Sequence, residues 1–485
     1  MSAANPGMNL TADELARRVD GRWLNPPGEL TVTAVEIDSR QCAQGTLFAA
    51  LAGQQADGHD YVAAAAANGA AAALVSRETG EISCPLLMVD DVEAALTRLG
   101  AFGRAAHRMS GGHLVAITGS VGKTGSKEML AHMLRQLGGC HANRASFNNH
   151  LGVPLTLAAL PETPIAAVQE IGMNAPGEIT TLSALAQPDI AVITRIANSH
   201  AGFFDSLDDI AAAKAEIFDG LTDGGTAILN ADDPYFTFLG TRASTAGASR
   251  IIGFGTAQGA EAQLLDITTD EGGPDAGMIV RADIMGTALC FRMGLRGDHW
   301  AHNATAMLAA VAALGLDVKD ASSSLIDFRG LPGRGAVSSG VFNGTSMTLI
   351  DDSYNAGPAS MEAAFATFGT TPPHIMVLSD MLELGQSSEA AHAALVPAIA
   401  ALAPRIVITI GPMMAAMASQ LAGSIDHHGV DTPAAALKAL RASLVDGDHV
   451  FIKGSNGSGA CHVAAAVLQE LADTTDANGG ASHAA

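Results

Sequence analysis

Aromatic side chains are scarce in this chain of 485 residues: they make up 4 %, with two Trp and three Tyr. So few rings suit close helix–sheet packing rather than a stacking surface. Cationic charge is short too. Lys and Arg number 26 against 49 Asp and Glu, a formal charge of −23. Nucleic-acid and anionic-membrane partners need a basic face and are not expected. An anionic ligand has to be held locally, by a few convergent Lys, Arg or backbone N–H groups. Cysteine is sparse: Cys42, Cys84, Cys140, Cys290 and Cys461 are scattered and contain no C-x-x-C. That argues against a disulfide framework or a zinc site and suits a reducing compartment. A long apolar run is missing as well. The segment "YVAAAAANGAAAALV" from Tyr61 is broken by Asn68-Gly69 and reads as helix, turn and strand, not a membrane span. No apolar stretch follows a basic start as in a secretory leader. A cytoplasmic monomer without a membrane span is expected.

Hydrophobic residues, at 48 %, are ample for several cores, and the length suggests about three domains of roughly 150 residues. Between residues 30 and 90, runs such as "LTVTAVEIDSR", "GTLFAAL" and "AAALVS" alternate with Gly-containing turns, a small α/β domain. A helix-like stretch near Val92–Arg108 follows. From His113 to about residue 316, "HLVAITGS", "IAAVQEIG", "IAVITRIA" and "TAILNADDP" read as buried strands between helices, a parallel sheet covered on both faces. "RGLPGRGAV" (Arg329–Val337) reads as a linker. "MTLIDDS", "HIMVLSD", "RIVITIG" and "HVFIKGS" then outline a second doubly wound domain. The polar tail from Asp473 reads as disordered. The fold class is α/β in three domains, 1–91, 92–331 and 332–485. Ligand groups belong at the carboxyl ends of the strands.

The segment "AITGSVGKTGSKEML" (Ala116–Leu130) places an apolar run, a glycine-bracketed loop and a helix-like stretch in succession. In a phosphate loop, successive N–H groups form an anion nest at a helix N-terminus, a Lys reaches the β/γ-phosphates and a Ser/Thr hydroxyl meets Mg²⁺. The pattern G-x-x-x-x-G-K-[ST] requires Gly at 117, where Ile117 stands. The motif is therefore the variant Thr118-Gly119-Ser120-Val121-Gly122-Lys123-Thr124. Lys123 is expected on nucleotide phosphates and Thr124 on Mg²⁺.

Glu170, at the end of a strand beside this loop, is placed either to bind Mg²⁺, directly or through water, or to be an ordinary strand-end acid. His200 taken alone reads as structural, and Lys214 in "IAAAKAEIF" as a solvated helix lysine. His299 and His302 lack a third ligand and read as non-metal. "LIDDSYNAGPASM" collects two Asp, a Tyr and an Asn after a strand. "FIKGSNGSG" (Phe451–Gly459), with Lys453 and Ser455, reads as a second anion nest or a flexible loop.

In order along the chain, "DSR…GTLFAALAGQQADGHDY", "TGSVGKT", "FNNHLGVPLTL", "EIGMNAPGEI", "AKAEIFDGL", "GDHWAHNA", "LPGR", "DDSYNAGPASM", "SDMLELG" and "KGS" closely resemble the Mur ligases of peptidoglycan synthesis. The tetrapeptide Asp-Asn-Pro-Arg, usual in the branch that adds diaminopimelate or lysine, is absent. The likeness is to the branch that adds D-alanyl-D-alanine to UDP-N-acetylmuramoyl-tripeptide. It implies a uridine-nucleotide domain, a central ATPase-like domain and a C-terminal Rossmann-like domain. It also implies ATP and Mg²⁺ as cofactors and an acyl-phosphate route. Carried onto this chain, it implies that Thr118–Thr124 serve ATP, with Asn303 near adenine. Arg334 reaches the phosphates, and Asp352 touches the ribose with Tyr354 and Asn355 beside it. Glu170, His200 and a carbamylated Lys214 serve metal. Ser39, Arg40, Asp57, Gly58 and His59 match the uridine-nucleotide pocket, and Asn148 and Asn149 the muramoyl-peptide. Lys453 and Ser455 are expected on substrate. Ser379 stands where relatives often carry Gly.

Overall fold

The computed structural model describes residues 8–479, except 26, 54–55, 81, 145, 198–203, 205, 270–276, 369–371, 422 and 424. Near the N-terminus, five short strands form a sheet in the order Arg22–Trp23, Leu86–Met88, Ala72–Val75, Thr46–Ala49, Ala34–Glu36. The last four in that order are parallel. The Ala-rich segment behaves as its turn signal demands: helix Val62–Ala67, turn, buried strand Ala72–Val75.

Helix Val92–Met109 starts where the Asp91 side chain accepts from Glu93 N and Ala94 N, at 2.8 and 3.2 Å. Its first half buries Val92, Ala95, Leu96 and Leu99 in the N-terminal core. Its second half changes partner. Gly103 lies so close to the following helix Gly152–Ala158 that a Cβ there would sit 2.2 Å from the Leu157 carbonyl oxygen. The Arg104 guanidinium, buried, donates to the Ala186 and Gln187 carbonyls and to Asp189, all within 2.9 Å. It thereby caps the C-terminal end of helix Glu178–Ala186. One helix thus ties the N-terminal core to the helices flanking the central sheet.

The central sheet has nine strands. Seven are parallel, in the order Cys140–Ala142, Ala166–Glu170, His113–Thr118, Ile190–Ile193, Thr226–Asn230, Arg250–Gly255, Ala262–Thr269. Four of them, His113–Thr118, Ala166–Glu170, Ile190–Ile193 and Thr226–Asn230, are the strands expected between helices, buried on both faces; the others are additions. Beyond Gly255 the alternation stops. Strand Ala262–Thr269 continues the sheet, and Met278–Ile284 and Thr287–Met293 add antiparallel neighbours. Their inward Val280, Ala282, Leu289 and Phe291 alternate with exposed residues, the period of a sheet covered on one face only.

The third sheet runs Ala336–Phe342, Thr345–Asp352, Asp448–Lys453, Ile375–Ser379, Ile406–Ile410, Asp426–Val430, parallel except at its first strand. The four strands read from the sequence are all present; the two edge strands are additions. The tail corrects an expectation: helix Ala460–Gly479 runs through the polar residues from Asp473. Extending a formed helix costs far less than nucleating one, and the buried Val463, Val467 and Leu471 hold its first half.

Among the described residues, no helix is long and apolar enough to cross a membrane.

Candidate active site

The phosphate loop connects buried strand His113–Thr118 to helix Lys123–Gln136. Gly122 caps that helix at φ +84°, which L side chains rarely adopt, and the Asn303 amide fills the space beside it at 3.2 Å from a would-be Cβ. The loop is anchored from the neighbouring strand: Ser120 N donates to Arg195 O at 2.8 Å, and Thr194 Oγ1 donates to Val121 O at 2.6 Å. Lys123 folds back, its Nζ donating to Gly119 O at 2.7 Å. Burial lowers its pKa; Glu170 opposes that and Arg334 reinforces it.

Glu170 closes its strand and is buried. Its Oε2 accepts from Thr124 Oγ1 and its Oε1 from Asn148 Nδ2, each at 2.7 Å. Asn143 holds the Glu170 main chain, its Oδ1 accepting from Glu170 N at 2.9 Å, and buried Lys127 donates to Asn143 O at 2.8 Å. Asn149 caps the next helix, its Oδ1 accepting from Gly152 N at 3.0 Å. Lys214, expected on a plain reading to be solvated, is completely buried near the end of helix Leu207–Ala215. Among the described residues its Nζ has no hydrogen-bond partner. Burial first, then the Lys123 charge, holds its pKa well below the ordinary lysine value. His200 lies outside the described residues, so its place stays an expectation.

Across from this cluster stands the third sheet. Arg334 stacks on the Tyr354 ring, its Cζ 3.9 Å from the centroid. Asp352 ends its strand and accepts from Lys453 Nζ at 2.5 Å; Lys453 also donates to Asn355 O at 3.1 Å. Burial raises the Asp352 pKa, against the pull of Lys453. Ser455 is fully engaged, donating to Ala356 O at 2.8 Å and accepting from Leu382 N at 2.9 Å. Its hydroxyl is committed inside the domain. The hydroxyl of Ser379, where relatives often carry Gly, is 2.5 Å from Ser458 Oγ and ties that loop down.

One cleft of ≈ 1590 Å³ joins both sides. Its lining includes Lys123, Thr124, Glu170, Asn148, Asn149, Asn303, Arg334, Asp352, Tyr354, Asn355, Lys453 and Ser455. His299 and His302 line it too. His299 is held neutral, its pKa lowered to about 4 by burial and then by Lys453.

The residues expected at a uridine-nucleotide pocket gather elsewhere, past the carboxyl ends of the N-terminal strands, and none lines the cleft. Ser39 opens a short turn capped by Asp38, and its carbonyl accepts from Asn68 Nδ2 at 3.0 Å. Arg40 points outward, paired with Asp38 at 2.7 Å. Gly58 N donates to Leu51 O at 2.7 Å. His59 is buried: its Nδ1 lies 2.6 Å from Asp57 Oδ1, and its Nε2 accepts from Ser76 N at 3.0 Å. The segment Arg144–Asn149 touches both regions, Arg144 pairing with Glu36 at 2.5 Å and Ser146 reaching Tyr354.

Sequence reasoning missed Lys127, Asn143, Thr194 and Ser146. The motif quoted there began at Phe147, one residue late for Ser146. Lys127 lies four residues after Lys123 on the same helix face, a spacing that was visible, but its burial was not.

The oxygen donors fit Mg²⁺. Thr124 supplies a hydroxyl, Glu170 a carboxylate and a nucleotide would supply phosphates, the hard set this ion takes. Among the described residues no group of three His, Cys, Asp or Glu forms a closed metal cage.

Comparison with known proteins matches three family models: "Mur ligase family, catalytic domain" at 31–96, "Mur ligase middle domain" at 117–312 and "Mur ligase, glutamate ligase domain" at 333–456. The UDP-N-acetylmuramoyl-tripeptide–D-alanyl-D-alanine ligase of Bacillus subtilis is 33 % identical over 459 residues, covering 92 % of this chain and 96 % of the relative. That of Escherichia coli is 32 % identical, covering 91 % of this chain and 95 % of the relative. The crystal structure of MurF from Acinetobacter baumannii superposes with a TM-score of 0.81 at 29 % identity, covering 96 % of this chain and all of the other.

Proposed function

The chain belongs to the Mur ligase family of ATP-dependent, amide-forming ligases, and on that premise we propose that it joins D-alanyl-D-alanine to UDP-N-acetylmuramoyl-tripeptide. The product is a peptidoglycan precursor. The reading places the protein in the cytoplasm, in cell-wall synthesis and thus in cell shape and division. The observation that carries it is the single cleft in which Lys123, Thr124 and Glu170 face Arg334, Asp352 and Lys453 from another sheet.

A carboxylate is a poor electrophile and has to be activated. In our reading the terminal carboxylate of the tripeptide attacks the γ-phosphorus of ATP, forming an acyl phosphate and releasing ADP. The D-alanyl-D-alanine amine then attacks the acyl carbon, loses a proton, and expels inorganic phosphate. Bringing two anions together demands charge neutralisation. Lys123 leaves the Gly119 carbonyl to meet the β/γ-phosphates, while the N–H groups of Val121–Thr124 surround them. Gly122 lets the backbone approach, and Asn303 flanks the loop toward the base. Arg334 adds a planar cation from the other side. Asp352, fixed by Lys453, offers its second oxygen to the ribose, beside Asn355.

Thr124 and Glu170 would hold Mg²⁺, which supplies charge neutralisation on the phosphates when bound; His200 joins them in our reading. Lys214 deepens this. A buried amine without a partner among the described residues, its pKa held well below the ordinary lysine value, favours the free-base form that adds CO₂ and loses a proton, and the resulting carbamate would put an oxygen donor where the amine stands. Asn148 and Asn149 present the acceptor peptide. Ser39, Arg40, Asp57, Gly58 and His59 form the uridine-nucleotide pocket. We assign domain boundaries at 91 and 331, with the third lobe closing about the Arg329–Gly335 linker.

The test is a phosphate-release assay with ATP and UDP-muramoyl-tripeptide, offering D-alanyl-D-alanine against single amino acids. Release with the dipeptide alone supports the reading. Equal release without any amine points to an ATP-hydrolysing enzyme instead.

A further inference from the structure

Tyr354 makes two contacts of different kinds at once. Its hydroxyl donates to Ser146 Oγ at 2.6 Å, and its ring face carries the Arg334 guanidinium at 3.9 Å. Ser146 and Tyr354 are 208 residues apart in sequence and sit on different sheets' loops. Ser146 shares its loop with Asn148, whose amide grips Glu170. The hydroxyl contact therefore connects the metal-side carboxylate's loop to the turn bearing the arginine.

That turn is held firmly. Gly333 N donates to Asp351 Oδ2 and Gly335 N to Asp351 O, each at 2.7 Å. Tyr354 N donates to Gly333 O at 2.8 Å, and Ser353 Oγ to Asp351 Oδ1 at 2.6 Å. With both ends of the phenol fixed, its two side-chain torsions have little freedom. A guanidinium stacked on such a ring is confined to a plane. Among the described residues no carboxylate or carbonyl accepts from the Arg334 guanidinium, which leaves its N–H edge to the cleft. The family resemblance places Tyr354 on the nucleotide side, beside the ribose contact. The contacts give it a different task.

We propose that Tyr354 is a positioning residue that couples the Ser146–Asn149 loop to Arg334, so that the arginine is aimed at the transferring phosphoryl group only while that loop is seated. The proposal rests on the ligase reading above and deepens it. It makes the acceptor side of the cleft control the cation that completes the nucleotide side. An acceptor that seats the loop also locks the third lobe, and the hydroxyl pair is the lock.

The test is a double-mutant cycle in the full-length protein, read as kcat and as KM for ATP, UDP-muramoyl-tripeptide and D-alanyl-D-alanine. Tyr354→Phe keeps the ring and its stacking but loses the donor. Ser146→Ala loses the acceptor. Each single variant is expected to lower kcat about fivefold, the factor an ordinary net hydrogen bond carries, with KM for ATP unchanged within about twofold. The double variant is expected to be no slower than either single one, because both remove the same contact. Tyr354→Leu, which also removes the stacking face, is expected to fall as far as Arg334→Ala. Unfolding midpoints of the Phe and Ala variants should match the parent. Effects that multiply in the double variant, an unchanged kcat in both singles, or a raised KM for ATP at constant kcat would each overturn the proposal. A parent protein that releases no phosphate sinks the ligase reading itself and the proposal with it, so the two failures are told apart.

Discussion

The Thr124 hydroxyl donates directly to Glu170 Oε2 at 2.7 Å, joining the first turn of the phosphate-loop helix to the end of the adjacent strand. The two oxygens that suit a divalent cation thus already face each other, and Asn148 fixes the second carboxylate oxygen. Glu170→Gln keeps the shape and removes the charge. It is expected to lower kcat by about 100-fold, the cost of losing one preorganised electrostatic group, and to raise the Mg²⁺ concentration needed for half-maximal turnover. Phosphate release titrated with MgCl₂ checks both. An unchanged Mg²⁺ dependence would remove Glu170 from the metal site.

Lys123 is satisfied inside its own loop, with Nζ on the Gly119 carbonyl. That contact holds the side chain without binding the loop to the rest of the domain. Lys123→Ala should therefore abolish turnover and leave the unfolding midpoint within about 2 °C, since no bond to the rest of the domain is lost. Retained ligation would refute the assignment of the loop; a large fall in the midpoint would make the lysine structural.

Lys214 yields a prediction from its isolation. Its buried amine has no partner among the described residues, and burial holds its pKa well below the ordinary lysine value. Protein stripped of CO₂ should lose most of its turnover and regain it on adding bicarbonate, whereas Lys214→Gln should be inactive in both conditions. Activity indifferent to CO₂ in the parent would leave the amine unmodified and the carbamate reading without support.

His107 sets a pH dependence. It is fully buried, its Nδ1 donates to Pro161 O at 2.7 Å, and burial lowers its pKa from the ordinary 6.5 despite that bond. The unfolded chain takes up a proton near pH 6.5 that the folded protein refuses, so the stabilisation is present above that pH and is lost as pH falls through it. Thermal unfolding between pH 7 and 5 should show a decline that is shallower in His107→Gln. Parallel curves for the two proteins would count against this account of the histidine.

The parts of the site that were legible in the sequence are those made by local chemistry. A strand, a Gly-bracketed turn and a helix place Lys123 and Thr124 without help from distant residues, and the strand-end positions of Glu170 and Asp352 follow from the ends of apolar runs. What depends on packing was hidden. An Ala-rich helix gives no sign that Lys214 faces inward. The one-sided sheet at Met278–Met293 was invisible to a reading that assumed helices on both faces, although its alternating pattern is plain once sought. Ser455 looked like part of an open anion nest and instead bonds its own domain, because the neighbouring Ala356 carbonyl and Leu382 N–H take its hydroxyl. The Ser146–Tyr354 contact joins residues too far apart in sequence for any local pattern to reveal.

The most direct test of the central claim is mass spectrometry of the nucleotide product from a complete reaction. With ATP, Mg²⁺, UDP-muramoyl-tripeptide and D-alanyl-D-alanine, the account predicts the UDP-linked pentapeptide in amounts matching the phosphate released. Phosphate released in that mixture with the tripeptide nucleotide recovered unchanged would contradict it.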